Sequence, residues 1–307
     1  MCLSVCMVVK NEINTLRASL DPIIDHIDEL IVIDNNSTDG TYELLKEHYG
    51  IQPMRMELSD ERCLNKAELR NMAFQQAKND WILSLDADEI VDLQSLKIFE
   101  ENSKNRDIAG FFGFWINHLQ GITPFEDYKL FIFQKELQKR GLIHENVQID
   151  IRQKGLNAIW LDGFTVQHHP EATKHISKEK LYKERLICAI KKEPEWIRYH
   201  WFLGYMYFQE SRYDEAIECF SYALNTPSTL FPVEQLNSAM VLIEIYIKRQ
   251  EIEKASAVIE KALRLFYMYE HDFEVKINKK ILPWLNDAKS KITQKFYNQI
   301  SAYRFAK

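Results

Sequence analysis

The stretch WILSLDADEI, residues 81–90, decides how the N-terminal half of this chain is read. Trp81, Ile82, Leu83, Leu85 and Ile90 are large and apolar, the composition of a buried strand. Asp86, Asp88 and Glu89 then crowd its end. A buried carboxylate is costly unless it is paired or binds a metal. A single aspartate in that place reads as the turn after a strand. Two aspartates at i and i+2, on a strand that continues through them, point to the same side. A divalent cation is the simplest way to offset their repulsion. Magnesium and manganese suit carboxylate oxygens and keep positions open for substrate phosphates.

Working outward, strand-like and helix-like segments alternate. CLSVCMVV (2–9) and ELIVID (29–34) read as buried strands. NTLRASLDPII (14–24), TDGTYELLKEHYG (38–50) and NKAELRNMAFQQA (65–77) read as helices, the second with capping chemistry at its start and Gly50 at its stop. WILSLDA returns to strand. The order βαβαβ predicts an α/β fold with a mostly parallel sheet and helices on its faces. Ligands in such sheets sit beyond the carboxyl ends of the strands, where Asp34 and Asp86 both fall.

From about residue 178 the pattern becomes helical throughout. WFLGYMYFQESRYDEAIECFSYAL (201–224) carries the spacing of a tetratricopeptide repeat. Residues 241–263 repeat it: Leu203, Tyr207, Ala216, Phe220 and Ala223 map onto Leu242, Tyr246, Ala255, Ile259 and Ala262. The longer-than-usual offset is absorbed by the loop NTPSTLFPV. Leu186 and Ala189 read as an upstream half-repeat. The expected division is a catalytic domain at 1–175 and a helical tetratricopeptide-like domain at 176–307. So few repeats predict a cap on the enzyme domain or a homodimer through the helices, ahead of a peptide-binding groove.

With 307 residues the chain has room for two domains. Its 46% hydrophobic and 27% charged composition is that of a soluble globular protein. A net charge of −6 gives no general affinity for nucleic acid. MCLSVCMVVK lacks the pattern of a signal peptide, and no stretch approaches a membrane span. The five cysteines have no CxxC spacing and predict reduced thiols in a cytoplasmic protein.

MVVKNE (7–12), IVIDNNSTDGT (31–41), AELRNMA (67–73), WILSLDADE (81–89) and GLIHENV (141–147) occur in an order that resembles the family 2 glycosyltransferases of the GT-A fold. Within them the chain is similar to bacterial lipopolysaccharide-core glucosyltransferase-like proteins with tetratricopeptide tails, and to peptide S-glycosyltransferases that modify bacteriocins. The resemblance implies the following roles. The backbone at Val8 and Val9 meets the nucleobase. Asp34 opens a D-x-x-S-x-D segment, and Asn35 stands where a second aspartate often accepts the uracil N–H. Ser37, Thr38 and Asp39 cap the next helix. Arg70 contacts the nucleotide, against the plainer reading of an exposed helix arginine. Asp88 holds a manganese or magnesium ion that bridges the phosphates. Asp86 faces the ribose or a metal-bound water, or joins Asp88 as a ligand. Glu89 supports this pair or is solvated. Glu145, beside His144, is the base that takes the acceptor's proton, with Asp127 its competitor. His168, with His169, lies near the metal or diphosphate, unless both are surface histidines.

The implied activity is an inverting, metal-dependent transfer of a sugar from a UDP-sugar to a saccharide, a lipopolysaccharide precursor or a peptide side chain. The Q-x-x-R-W motif and membrane helices of processive members are absent, which implies single-sugar transfer. A sugar nucleotidyltransferase shares the acidic strand ends, but needs a glycine-rich basic loop that VVKNEINTLRASL lacks. An inactive tetratricopeptide adaptor is the other alternative; the intact Asp86 and Asp88 argue against it.

Overall fold

Leu3–Val9, buried but for the half-buried Val8, form the interior strand β1 of an eight-stranded sheet. The computed structural model describes residues 2–56, 65–105, 107–119, 121, 123–171 and 179–305, with side chains from 181 to 294 in the last span. The chain divides into two units, Met1–Arg185 and Leu186–Lys307.

In the first unit the remaining strands are β2 Glu29–Asp34, β3 Met54–Arg55, β4 Trp81–Ser84, β5 Glu89–Val91, β6 Ile108–Asn117, β7 Phe125–Gln134 and β8 Asn157–His168, in the order β3-β2-β1-β4-β7-β6-β8-β5. The β3-β2-β1-β4 half is all parallel, as the alternation predicts. Beyond it β7 runs antiparallel to both β4 and β6, β6 is parallel to β8, and β5 is antiparallel to β8. The helices are α1 Leu16–Leu20, α2 Thr41–Glu47, α3 Lys66–Gln76, α4 Leu93–Asn102 and α5 Gln148–Gln153. Leu3, Val5, Met7, Leu83, Phe99, Phe131 and Phe164 are among the buried residues of one core.

The structure corrects three local expectations. The helix over 14–24 is cut to α1 and a 3-10 turn, Ile24–His26. Pro22, just past the α1 C-cap at Asp21, has no N–H with which to continue it. β4 stops at Ser84, so no strand runs through Asp86 and Asp88, and strand alternation does not align them. The third correction concerns the thiols: Cys2, Cys6 and Cys219 are outside any disulfide, but Cys188 is disulfide-bonded. Cys63 lies outside the described residues.

The second unit is helical. α6 Glu179–Lys192 enters it; α7 Ile197–Gln209, α8 Tyr213–Asn225, α9 Pro232–Lys248, α10 Ile252–Tyr269, α11 Phe273–Ile277 and α12 Ile281–Phe305 follow. The repeat positions form its core: Ala216, Phe220, Ala223, Ala255 and Ala262 are 0% exposed, and Leu203, Leu242, Tyr246 and Ile259 are buried. Leu186 and Ala189 are buried as well. Gly204 explains the LG of the repeat. A Cβ there would lie 3.0 Å from Cys219 Cβ and from the Phe220 ring, so α7 and α8 approach at backbone distance. Among the described residues no helix is long and apolar enough to cross a membrane.

β6 reaches β8 through a register shift between Phe112 and Phe114. Gly113 occupies it, and a Cβ there would stand 2.5 Å from the Phe164 ring and 2.7 Å from the Phe164 carbonyl oxygen. A carbonyl in a paired strand cannot swing aside. Gly113→Ala should therefore lower stability by about 1–3 kcal/mol in urea unfolding; an unchanged midpoint would show that the β6–β8 contact is looser than the structure has it.

Candidate active site

The loops that follow β1 and β2 are laced together at the carboxyl end of the sheet. Asn11 and Asn36 take the left-handed conformation that asparagine tolerates, with φ of 57° and 54°. The Asn11 N–H donates to Ser37 Oγ (2.9 Å) and Asn11 Oδ1 accepts from the Thr38 N–H (2.8 Å). Of the three residues expected to cap α2, Ser37 and Thr38 thus bind the neighbouring loop. Asp39 accepts from the Thr41 N–H (3.0 Å) and the Ile13 N–H (3.1 Å). Asp34 is 0% exposed; it accepts from the Ser37 N–H and from Arg55 Nε at 3.3 Å. Its carboxylate is spent on the following turn and on β3; beside it Val8 is half-buried and Asn35 is buried. The Val9 carbonyl accepts the Asn35 N–H at 2.8 Å.

Residues 85–88 form the turn between β4 and β5. It is closed by the Glu89 N–H donating to the Asp86 carbonyl (3.0 Å), and by the Asp86 N–H donating to Glu89 Oε2 (2.9 Å). Glu89, read from sequence as supporting or solvated, is 0% exposed. From this turn a chain of alternating charge crosses the site. Lys129 on β7 donates to Glu89 Oε1 (2.6 Å) and lies 3.3 Å from Asp86 Oδ2. Arg70 on α3 donates through Nη2 to Asp86 Oδ1 and through Nε to Glu145 Oε1, both at 2.6 Å. Arg70 is 9% exposed, which rules out the exposed helix arginine. Asp86, expected as a metal ligand or ribose contact, has both oxygens engaged by cations. The pair Asp86–Asp88 is therefore split between two tasks.

The electrostatics follow the pairing. Burial would raise the Glu145 carboxyl, but the charges of Arg70, Lys139 and Lys66 outweigh it and bring its pKa down to about 2. Burial likewise opposes ionisation of Asp86, and Arg70, Lys129 and Lys139 hold it well below the usual carboxylate range. Burial disfavours the Lys129 ammonium, yet Glu89 and Asp86 raise its pKa overall. Lys139 goes the other way: burial first, then the like charge of Arg70, lower it to about 7.

Asp88 faces away from this chain, toward β8. The His169 N–H donates to the Asp88 carbonyl (2.8 Å), and His168 Nε2 lies 3.4 Å from Asp88 Oδ2. Asn117 on β6 fixes the histidine. Its Nδ2 donates to the Trp115 carbonyl (3.3 Å), which turns Oδ1 toward His168 Nδ1 at 2.8 Å. With Nδ1 turned to Asn117, Nε2 is the ring nitrogen that faces Asp88. Trp115 stacks on the half-buried His168 ring at 4.6 Å, whereas His169 is exposed and stacks on His118 at 4.3 Å. Asp127 is exposed on β7, opposite Trp115 and two residues before Lys129. His144, beside Glu145, has φ 50° and hydrogen-bonds Tyr182.

Sequence reasoning missed Lys129, Lys139, Asn117 and Trp115. Lys129 did carry a signal: it is a lone cation entering the buried run Leu130–Phe133. Lys139 carried none, because its surroundings come from α3, β7 and the 85–88 turn.

The family model for "Glycosyl transferase family 2" matches residues 4–157, half of the chain. A TPR repeat-containing protein of Synechococcus elongatus is 37% identical over 92 residues, 30% of this chain; the match spans only 22% of that relative. TarS 1–349 of S. aureus has a TM-score of 0.43 at 11% identity, over 97% of this chain and 92% of that one. Glucosyl-3-phosphoglycerate synthase of Mycobacterium tuberculosis, crystallised with Mg2+ and UDP, has a TM-score of 0.41 at 17% identity, over 61% and 79%. GalNAc-T7 with UDP, GalNAc and Mn2+ has a TM-score of 0.44 at 18% identity, over 62% and 47%.

Removing Arg70 strands Glu145 and leaves Asp86 to Lys129 alone. Arg70→Met should cost about 3–5 kcal/mol at pH 7, the range for breaking a buried ion pair from one side. In the wild type the depressed Glu145 pKa contributes stability that is full above its unfolded value near ~4.3 and fades only as pH falls toward about 2. In the variant, burial without the cation raises the folded pKa above the unfolded one, so protonation restores stability as pH falls. The deficit should shrink between pH 7 and pH 5 in denaturant titrations; a deficit independent of pH would mean that Arg70 acts through packing alone.

Proposed function

The chain belongs to glycosyltransferase family 2, and from that premise we propose that it is an inverting enzyme that transfers single sugars from a nucleotide-diphosphate donor, a UDP-sugar, with the help of a divalent cation. The catalytic part is residues 1–175, and 176–307 is the tetratricopeptide-like part, through which the chain forms a homodimer. The acceptor is a saccharide, a lipopolysaccharide precursor or a peptide side chain.

The observation that carries this reading is the pair Asp88 Oδ2 and His168 Nε2, 3.4 Å apart, with His168 Nδ1 2.8 Å from Asn117 Oδ1. A positive charge joins two such atoms, either a proton on Nε2 or a metal ion, and on this reading donor binding brings the metal ion. A carboxylate oxygen suits manganese or magnesium, and neutral imidazole is a common metal ligand. Among the described residues no three His, Cys, Asp or Glu side chains gather as a metal site; on this reading the cation has few protein ligands and its other positions are left to substrate phosphates. When bound, it would act as a Lewis acid toward the departing diphosphate.

The chain's own residues do the rest. Val8, Val9 and Asn35 line the base end of the donor site, on a loop that Asp34 holds in shape. Arg70 couples the donor to the base. While it holds Glu145 at a pKa of about 2, Glu145 is too weak to take a hydroxyl proton. If Arg70 shifts its Nε hydrogen bond to a diphosphate oxygen, Glu145 Oε1 is released and its pKa rises toward the working range. Asp127, exposed on the neighbouring strand, is the competing base.

Calorimetry with UDP and Mn2+ should show tight binding only when both are present, and Asp88→Asn should abolish the metal-dependent part with the melting temperature kept. Unchanged affinity in the variant would remove Asp88 from the donor site. Glu145→Gln should lower transfer by ~10²–10⁴ with donor binding intact, while Asp127→Asn stays near normal. The reverse pattern would make Asp127 the base. A thermal-shift panel of nucleotide sugars with and without Mn2+ identifies the donor.

A further inference from the structure

Lys139 precedes a short bridge in which Arg140 and Asn146 exchange backbone hydrogen bonds (2.8 and 3.1 Å). Asn71 of α3 clamps its backbone from both sides: the Lys139 N–H donates to Asn71 Oδ1 (2.8 Å), and Asn71 Nδ2 donates to the Lys139 carbonyl (2.9 Å). The residue is 7% exposed. The charged groups that act on its amine are Arg70 from α3, Asp86 from the 85–88 turn, Lys129 from β7 and Glu145 from the far arm of the bridge. Those four are engaged with one another or with Glu89. The Lys139 amine, among the described residues, has no hydrogen bond and no ion pair.

That arrangement does not serve folding. Burying the stem of a lysine that makes no ion pair is costly, and the amine nitrogen itself is not fully buried, so it keeps access to water and to a ligand. The two other cations of the cluster repel the ammonium, and the carboxylates are already shared between them. Near neutral pH the amine is partly uncharged for these reasons.

Resting on the glycosyltransferase reading, we propose that Lys139 is held unpaired to receive an oxyanion of the bound substrates, a phosphate or carboxylate group seated beside Arg70 and Lys129. The diphosphate of the donor and an anionic group of the acceptor share that chemistry. An entering oxyanion supplies the missing hydrogen-bond acceptor and screens the repulsion from Arg70 and Lys129. The amine therefore becomes fully protonated as the ligand binds, and it takes that proton from solvent. Lys139 is a binding and positioning residue in this account, and Glu145 keeps the role of base.

The test is calorimetry at pH 7 in two buffers of different ionisation enthalpy, with Mn2+ present throughout. Three probes are used: UDP, inorganic pyrophosphate, and inorganic phosphate added to the UDP–Mn2+ complex. The wild type should take up protons with the probe that fills the site. Lys139→Met should weaken that probe about ten- to a hundredfold, the worth of a hydrogen bond to a charged group. Lys139→Arg, permanently charged, should keep most of the affinity but lose the proton uptake, a signature that impaired folding would not give. Loss with UDP and pyrophosphate places the oxyanion on the donor; loss with phosphate alone places it on the acceptor. If Lys139→Met binds all three probes like the wild type, with the same proton count, the inference is overturned. Pyrophosphate separates the two readings: Lys139-dependent pyrophosphate binding in a wild type that ignores UDP would refute the UDP donor and keep the oxyanion site.

Discussion

Glu145, Arg70, Asp86, Lys129 and Glu89 form one line of alternating charge, each neighbour within 3.3 Å of the next. Much of the site's geometry depends on that line. It joins α3, the turn after β4, strand β7 and the loop after β7, which are distant in sequence. Each cation is divided between two carboxylates, so losing Arg70 strands Glu145 and losing Lys129 strands Glu89 in a poorly hydrated place. Glu89, fully buried, ties the line to the backbone of the turn by accepting the Asp86 N–H. The turn shape that presents Asp88 is thus set by the same ion pairs that neutralise Asp86.

This division of labour accounts for two aspartates two residues apart with different surroundings. Asp86 is paired with Arg70 and Lys129, whereas Asp88 meets His168, whose other ring nitrogen is turned to Asn117. Had the strand continued through both, they would have shared one face and one fate. The turn separates them, so one carboxylate joins the ion-pair chain and the other faces His168. Trp115, stacked on His168 and in cation–π range of Lys129, packs between the two halves.

The helical unit rests on a different constraint, close approach. Ala216, Ala223, Ala255 and Ala262 are fully buried where helices meet, and Gly204 lets α7 lie against Cys219 and Phe220 of α8. Small residues at helix contacts trade side-chain volume for backbone proximity, and the larger Phe220 and Ile259 fill the space between them.

Local patterns determined a good deal by themselves. The apolar runs Leu3–Val9 and Glu29–Asp34 became parallel neighbours, and the repeat signature became the core of the second unit, because burial on a sheet or a helix pair imposes a short period that any reader of the chain can see. The family resemblance through residues 7–147 drew on such local pieces too. What tertiary structure alone decided is which charges meet. Arg70 and Glu145 are 75 residues apart, Lys129 and Glu89 40, and Asn117 and His168 51. No periodicity links such positions. The protonation states of Glu145 and Lys139 follow from those meetings, since a carboxylate or an amine has no fixed strength until its burial and its neighbours are known. The sequence could name the aspartates at the end of β4; only the packing of α3 and β7 against them could say which one is already neutralised.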